Sequence, residues 1–161
     1  MDFKIKRLIL KQSEHFENEK DNNFDDFLKE IFTFNLIGTL TSFTIILNRQ
    51  KISPKFVEKL NHLKILEELE LFNINFNDTF ILKLKNLKYL FISGCQNITF
   101  IEDSFLNLET LYVLNCFIYI PKSLMKMPNI KLCILKSKYY IIEDYISIFD
   151  YASLKNVVEL E

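Results

Sequence analysis

Apolar residues recur along the middle of this chain in one order. From Leu66 they run Leu66, Leu69, Leu71 and then Phe76. From Leu87 they run Leu87, Leu90, Ile92 and Cys95, and from Leu108 they run Leu108, Leu111, Val113, Cys116 and Ile118. The anchors Leu66, Leu87 and Leu108 are 21 residues apart. Within each unit the last two apolar residues sit two apart, so on an extended chain they share one face while their neighbours share the other. A single unit cannot bury its apolar face alone. Stacked units can, and about three are needed for stability.

Written out, the units follow L-x-x-L-x-L-x-x-N/C-x-L, and the sequence resembles the leucine-rich repeat family over roughly residues 36–161. The resemblance implies an α/β leucine-rich repeat solenoid, with a curved parallel sheet on the concave side and helices and irregular turns on the convex side. The ninth position of each unit holds Asn48, Cys95 and Cys116, side chains able to satisfy carbonyls in the turn, but also Ile74 and Leu135, which cannot. Irregular stacking is expected at those two. The run Phe117-Ile118-Tyr119-Ile120-Pro121 with Leu124 and Met127 looks like the family's I-x-x-I-P-x-x-L-x-x-L return segment.

The remaining elements follow in order. Ile5, Leu8, Leu10 and Ser13 fit a degenerate first strand with Lys6, Arg7, Ile9 and Lys11 outward. Residues 14–30 are acidic. Asn22-Asn23 offers a cap, and Phe24, Phe27, Leu28, Ile31 and Phe32 at helical spacing predict a helix over Asp25–Phe34. Leu40, Phe43, Ile45 and Asn48 make a second strand. Ser53-Pro54 opens a helix carrying Phe56, Val57, Leu60 and Leu63. The shorter units after Leu66 leave room only for short helical turns on the convex side, with Asn77-Asp78 opening the turn before Phe80, Ile81 and Leu84. Pro128 begins another strand, with Ile130, Leu132 and Leu135 inward. Tyr139–Phe149 reads as a helix, and Val157 with Leu160 as a last strand guarded by Glu159 and Glu161. The whole is expected to be one domain, 1–161. Residues 1–35 hold the degenerate strand and acidic segment, and residues 36–161 the repeats. Bare ends on the stack leave weak self-association open beside a monomer.

Phe27-Leu28-Lys29-Glu30-Ile31-Phe32 is similar to the helix of an F-box, which implies a substrate receptor of a ubiquitin ligase. The usual Leu-Pro start is missing, and too few residues follow to complete three helices. A structural or vestigial self-associating unit is the other alternative.

Composition narrows the class. With 49% hydrophobic and 25% charged residues and a net charge of −1, the chain is that of an ordinary folded domain. It has 2 Gly and no Trp, and it is rich in Leu, Ile, Phe, Asn and Lys, the bias of an AT-rich genome such as a large DNA virus or protist. No signal peptide or membrane span is visible. Three Cys, two of them at the repeat's turn position, predict reduced thiols and a cytoplasmic location, in a host cytoplasm if the source is viral.

No catalytic chemistry stands out. C-x-x-C, H-E-x-x-H, P-loop and G-x-G-x-x-G motifs are absent, and His15 and His62 are far apart. The expectation is a non-enzyme with no cofactor and no metal, Cys95, Cys116 and Cys133 being structural. Lys122, Lys126, Lys131, Lys136 and Lys138, with Tyr112, Tyr119, Tyr139 and Tyr140 among them, form a basic, aromatic stretch. The overall charge and the scarcity of Arg argue against nucleic acid as the partner.

The outward positions between strand leucines are left for function. One column reads Ile9, Thr44, Glu70, Phe91, Tyr112, Lys131. Another reads Arg7, Ser42, Glu68, Tyr89, Thr110, Asn129, and a third Lys11, Ile46, Phe72, Ser93, Leu114, Cys133. Together they assemble a candidate protein-binding surface of Glu68, Glu70, Phe72, Tyr89, Phe91, Tyr112, Leu114 and Lys131 on the concave face, which the family uses for an unknown protein partner here. Apolar clusters rimmed by charge mark interaction sites, and aromatics anchor interfaces. Aromatic residues placed by codon bias on an unused face are the alternative.

Overall fold

The computed structural model describes residues 5–12, 32, 38–49, 51–100, 106–120, 129, 132–136, 140–142 and 157–160. Among them the chain is α/β. It begins with β1 (Arg7–Lys11), β2 (Ser42–Ile46), β3 (Lys51–Ile52) and α1 (Pro54–Asn61). Strands β4 (Glu68–Phe72), β5 (Asn75–Leu82), β6 (Tyr89–Ser93), β7 (Gln96–Phe100), β8 (Thr110–Leu114) and β9 (Phe117–Ile120) follow, then β10 (Leu132–Lys136), β11 (Tyr140–Ile142) and β12 (Val157–Leu160). They form two open parallel sheets, ordered β1-β2-β4-β6-β8-β10-β12 and β11-β9-β7-β5-β3. From β2 to β11 the chain alternates between the sheets.

The 21-residue spacing sets the register. Leu69, Leu90 and Leu111 are paired neighbours on β4, β6 and β8, as are Leu71, Ile92 and Val113. Leu8 and Phe43, and Leu10 and Ile45, extend the two rows through β1 and β2. Every member from Phe43 and Ile45 onward is essentially fully buried. Each side chain of this kind contributes about 2 kcal/mol by leaving water. The same core takes in Ile52 and Phe76 from the second sheet and Phe56 and Leu60 from α1, so the sheets share one interior.

Two residues carry the chain from one sheet to the other. The first is left-handed: Asn73 (φ 54°), Gly94 (φ 65°) and Asn115 (φ 52°). Asn and Gly are the residues that tolerate this conformation. The second is buried: Ile74, Cys95 and Cys116. Ile74 needs no polar group for this role, because it fills space rather than bonding carbonyls. The first unit departs from the pattern. Its link from Ile46 to Lys51 is longer, Leu47 is buried, Asn48 is exposed and Arg49 holds the positive φ (54°). Asn48 is thus exposed, unlike Cys95 and Cys116 at the same place in their units.

A second device precedes the outer strands. Asn86 Nδ2 donates to Lys64 O at 2.6 Å, Asn107 Nδ2 to Lys85 O at 2.9 Å and Asn129 Nδ2 to Leu106 O at 2.8 Å. Each amide thus ties its loop to the loop one unit before.

Several sequence expectations change. The units after Leu66 do not return through short helical turns over 75–82, 96–100 and 117–120. Strands β5, β7 and β9 stand there instead, and Asn77-Asp78 lies within β5, beside a register irregularity between Asn75 and Phe80. β-branched and aromatic residues in these segments favour a strand once a neighbouring edge is available. Tyr140–Ile142 is likewise a strand rather than part of a helix, paired with Ile118–Ile120, while the rest of Tyr139–Phe149 lies outside the described residues. Ser53 occupies the cap position of α1 with extended backbone, and Pro54 opens the first turn, yet the Ser53 hydroxyl makes no capping bond.

Of the helix expected over Asp25–Phe34, only Phe32 is among the described residues. It is helical and buried, against Phe43 at 6.2 Å and Phe56 at 5.9 Å between ring centroids. The acidic segment 14–30 lies outside the described residues.

Candidate functional site: the outward face of the larger sheet

Alternation on β4, β6 and β8 puts Glu68, Glu70 and Phe72, then Tyr89, Phe91 and Ser93, then Thr110, Tyr112 and Leu114 on the side away from the buried leucines. Pairing runs Glu68–Tyr89–Thr110, Glu70–Phe91–Tyr112 and Phe72–Ser93–Leu114. Seven of the eight residues singled out from the sequence are thereby brought together on three adjacent strands.

Strands in a sheet are about 4.8 Å apart, which lets rings on neighbouring strands touch. Phe72 and Phe91 have centroids 5.0 Å apart at 30°, Phe91 and Tyr112 5.6 Å apart at 34°, and Tyr89 and Tyr112 6.0 Å apart at 51°. These are tilted contacts at the centroid separations of favourable aromatic pairs. They half-bury the rings against one another, leaving a ridge open to solvent.

Charge lies along one flank. Glu68 is exposed. Glu70 is half-buried and accepts a hydrogen bond from Thr44 Oγ1 at 2.8 Å. Partial burial, and then the carboxylates of Glu70 and Glu68 with Tyr112, push the Tyr89 phenol above its usual value. Glu67, by contrast, pairs with Lys88 at 3.1 Å in the open.

The flank beyond β4 differs from the columns read in the sequence. Ser42 and Thr44 occupy outward register positions but are buried, so on β2 only Ile46 is partly open on this face. Ile9 on β1 is 56% exposed, between exposed Arg7 and Lys11.

The far flank needs a correction. Lys131 lies outside the described residues, and the pairing of β10 sets Ile134, not Lys131, beside Tyr112. Cys133 pairs with Leu111 rather than Leu114, whose neighbour is Lys136, and Leu132 rather than Asn129 pairs with Thr110. The cause is a longer connection: the anchor after Leu108 is Ile130, 22 residues on, and Cys133 stands in the second leucine position. The repeated dipeptides Asn86-Leu87, Asn107-Leu108 and Asn129-Ile130 carried this signal.

Among the described residues no group of three or more His, Cys, Asp or Glu is placed to hold a metal. His62 Nδ1 lies 2.6 Å from the Glu58 carbonyl, and His15 is outside the described residues. No helix among the described residues is long and apolar enough to cross a membrane. No protein-family model, curated protein or solved structure matches the chain.

Proposed function

We propose that this chain is a leucine-rich-repeat-like solenoid that serves as a non-catalytic protein-binding module, docking a protein partner on the outward face of the larger sheet. The observation that carries this reading is the continuous ridge of Phe72, Phe91, Tyr112 and Tyr89, half-buried and in mutual ring contact, bordered by Glu68 and Glu70. A row of large rings on a rigid parallel sheet loses little side-chain freedom on binding and buries much area, which is what interface anchors do. The stacking of units in register at a near-constant spacing supports the repeat assignment. The buried free thiols of Cys95 and Cys116 suit a reducing compartment such as the cytoplasm.

The test is affinity purification from the native cell with wild type and with Phe91→Ala plus Tyr112→Ala, both checked for fold by circular dichroism. A defined set of proteins recovered by wild type and lost with the folded double variant is the expected result. Unchanged recovery overturns the reading.

A further inference from the structure

The outward positions of β2, β4, β6 and β8 hold two carboxylates, Glu68 and Glu70, and no lysine or arginine. The nearest cations at outward register positions, Arg7 and Lys11 of β1, are two strands from β4, about 10 Å away. Glu68 has no ion pair among the described residues, and Glu70 gives one oxygen to Thr44 and keeps the other. The carboxylates therefore border the aromatic ridge with no ion pair among the described residues, and around half-buried Glu70 a cation is worth more than in open water. Polyanions are disfavoured here for the same reason.

We propose that this face takes a peptide segment bearing a lysine or arginine that seats on Glu68 and Glu70, and an apolar side chain two residues away that packs on Phe91, Tyr112 and Leu114. Residues two apart on an extended segment are about 7 Å apart and point the same way. That length falls between the one- and two-strand separations from β4 to β6 and β8, so a segment crossing the sheet meets both subsites. The assignment rests on the protein-binding reading above and adds the partner's chemistry.

The experiment selects a random dodecapeptide library displayed on phage against the full chain, then measures a synthetic copy of the enriched peptide by fluorescence anisotropy. Enriched peptides are expected to share Lys or Arg two positions from an aromatic or aliphatic residue. Glu68→Gln with Glu70→Gln weakens binding about tenfold and flattens its salt dependence. Glu68→Lys prefers the copy in which Glu replaces the cation. Peptides that need Phe91 and Tyr112 but carry no cation, or that ignore Glu68→Gln with Glu70→Gln, overturn this inference and leave the binding module standing. Enrichment that never depends on Phe91 and Tyr112 overturns both. Tighter binding of a single-stranded DNA oligonucleotide than of any selected peptide also overturns the inference.

Discussion

The backbone N–H of Cys95 donates to the sulfur of Cys116, one unit further along the stack, at 3.4 Å. Both residues are fully buried. The Cys95 thiol reaches the Leu71 and Ser93 carbonyls at 3.5 and 3.4 Å, and the Cys116 thiol reaches the Leu114 carbonyl at 3.2 Å. Burial pushes the Cys95 thiol well up, so its reactive thiolate is suppressed. Neither thiol should react with iodoacetamide in the native protein at neutral pH, and both should react once urea unfolds the stack. Mass-resolved alkylation checks this, and rapid native labelling of Cys95 or Cys116 would contradict their placement.

Two neighbours on β6 should differ sharply in cost when cut to alanine. Leu90 is fully buried among Leu69 and Leu111, so Leu90→Ala leaves a cavity and should cost about 3–5 kcal/mol in denaturant unfolding. Phe91 is half-buried on the outward face, so Phe91→Ala should cost about 1 kcal/mol. If Phe91→Ala is the more destabilising, the faces are reversed and the binding surface is lost.

The period that made this alternation legible was carried by leucines whose spacing holds at 21 through Leu66, Leu87 and Leu108. The columns through Glu70, Phe91 and Tyr112 followed from that period alone, because one register step flips every side chain. The reading slipped where the period did. At Ile130 the connection gains a residue and Cys133 replaces a leucine, so the leucine pattern points to Leu132 as the rung while Cys133 is the residue paired with Leu111. The second sheet was harder still. Asn75–Leu82 and Gln96–Phe100 have no regular alternation, and only a neighbouring edge to pair with makes them strands. The burial of Ser42 and Thr44 was illegible because small polar residues at outward positions carry no sequence mark of being covered.

Gly94 combines two demands that a side chain cannot meet. Its φ is +65°, and a Cβ added there would collide with Asn73 Oδ1. Gly94→Ala should destabilise the protein by about 1–2 kcal/mol, from the left-handed backbone together with the collision. Asn73→Gly in the same chain removes the colliding group and suits its own φ of 54°. It should restore part of the loss, read as a shift in the urea midpoint. Full restoration would place the whole cost in the contact.

The amides of Asn86 and Asn107 are exposed enough for water to replace them in part. Asn107→Ala should then cost about 0.5–1.5 kcal/mol, since the Lys85 carbonyl loses its partner but is not stranded in the core. Hydrogen exchange should quicken in the loop around Lys85 and Asn86 while the buried strands β4 and β6 keep their protection. Uniform acceleration across all strands would mean that the amide supports the whole stack rather than one joint.

The Tyr89 phenol offers a readout of the field on the outward face. Its folded value is raised above 10.0, first by burial and then by Glu70, Tyr112 and Glu68. The folded state therefore holds the phenolic proton more tightly than the unfolded chain. This contribution to stability is fully present below about pH 10 and is lost as pH rises through the folded value. Tyrosinate absorbance, with Tyr89→Phe subtracted, should show this residue titrating later than a free tyrosine. Glu68→Gln with Glu70→Gln should bring it part of the way back, leaving the share owed to burial and to Tyr112. A Tyr89 titration unmoved by removing both carboxylates would remove the negative field on which cation recognition depends.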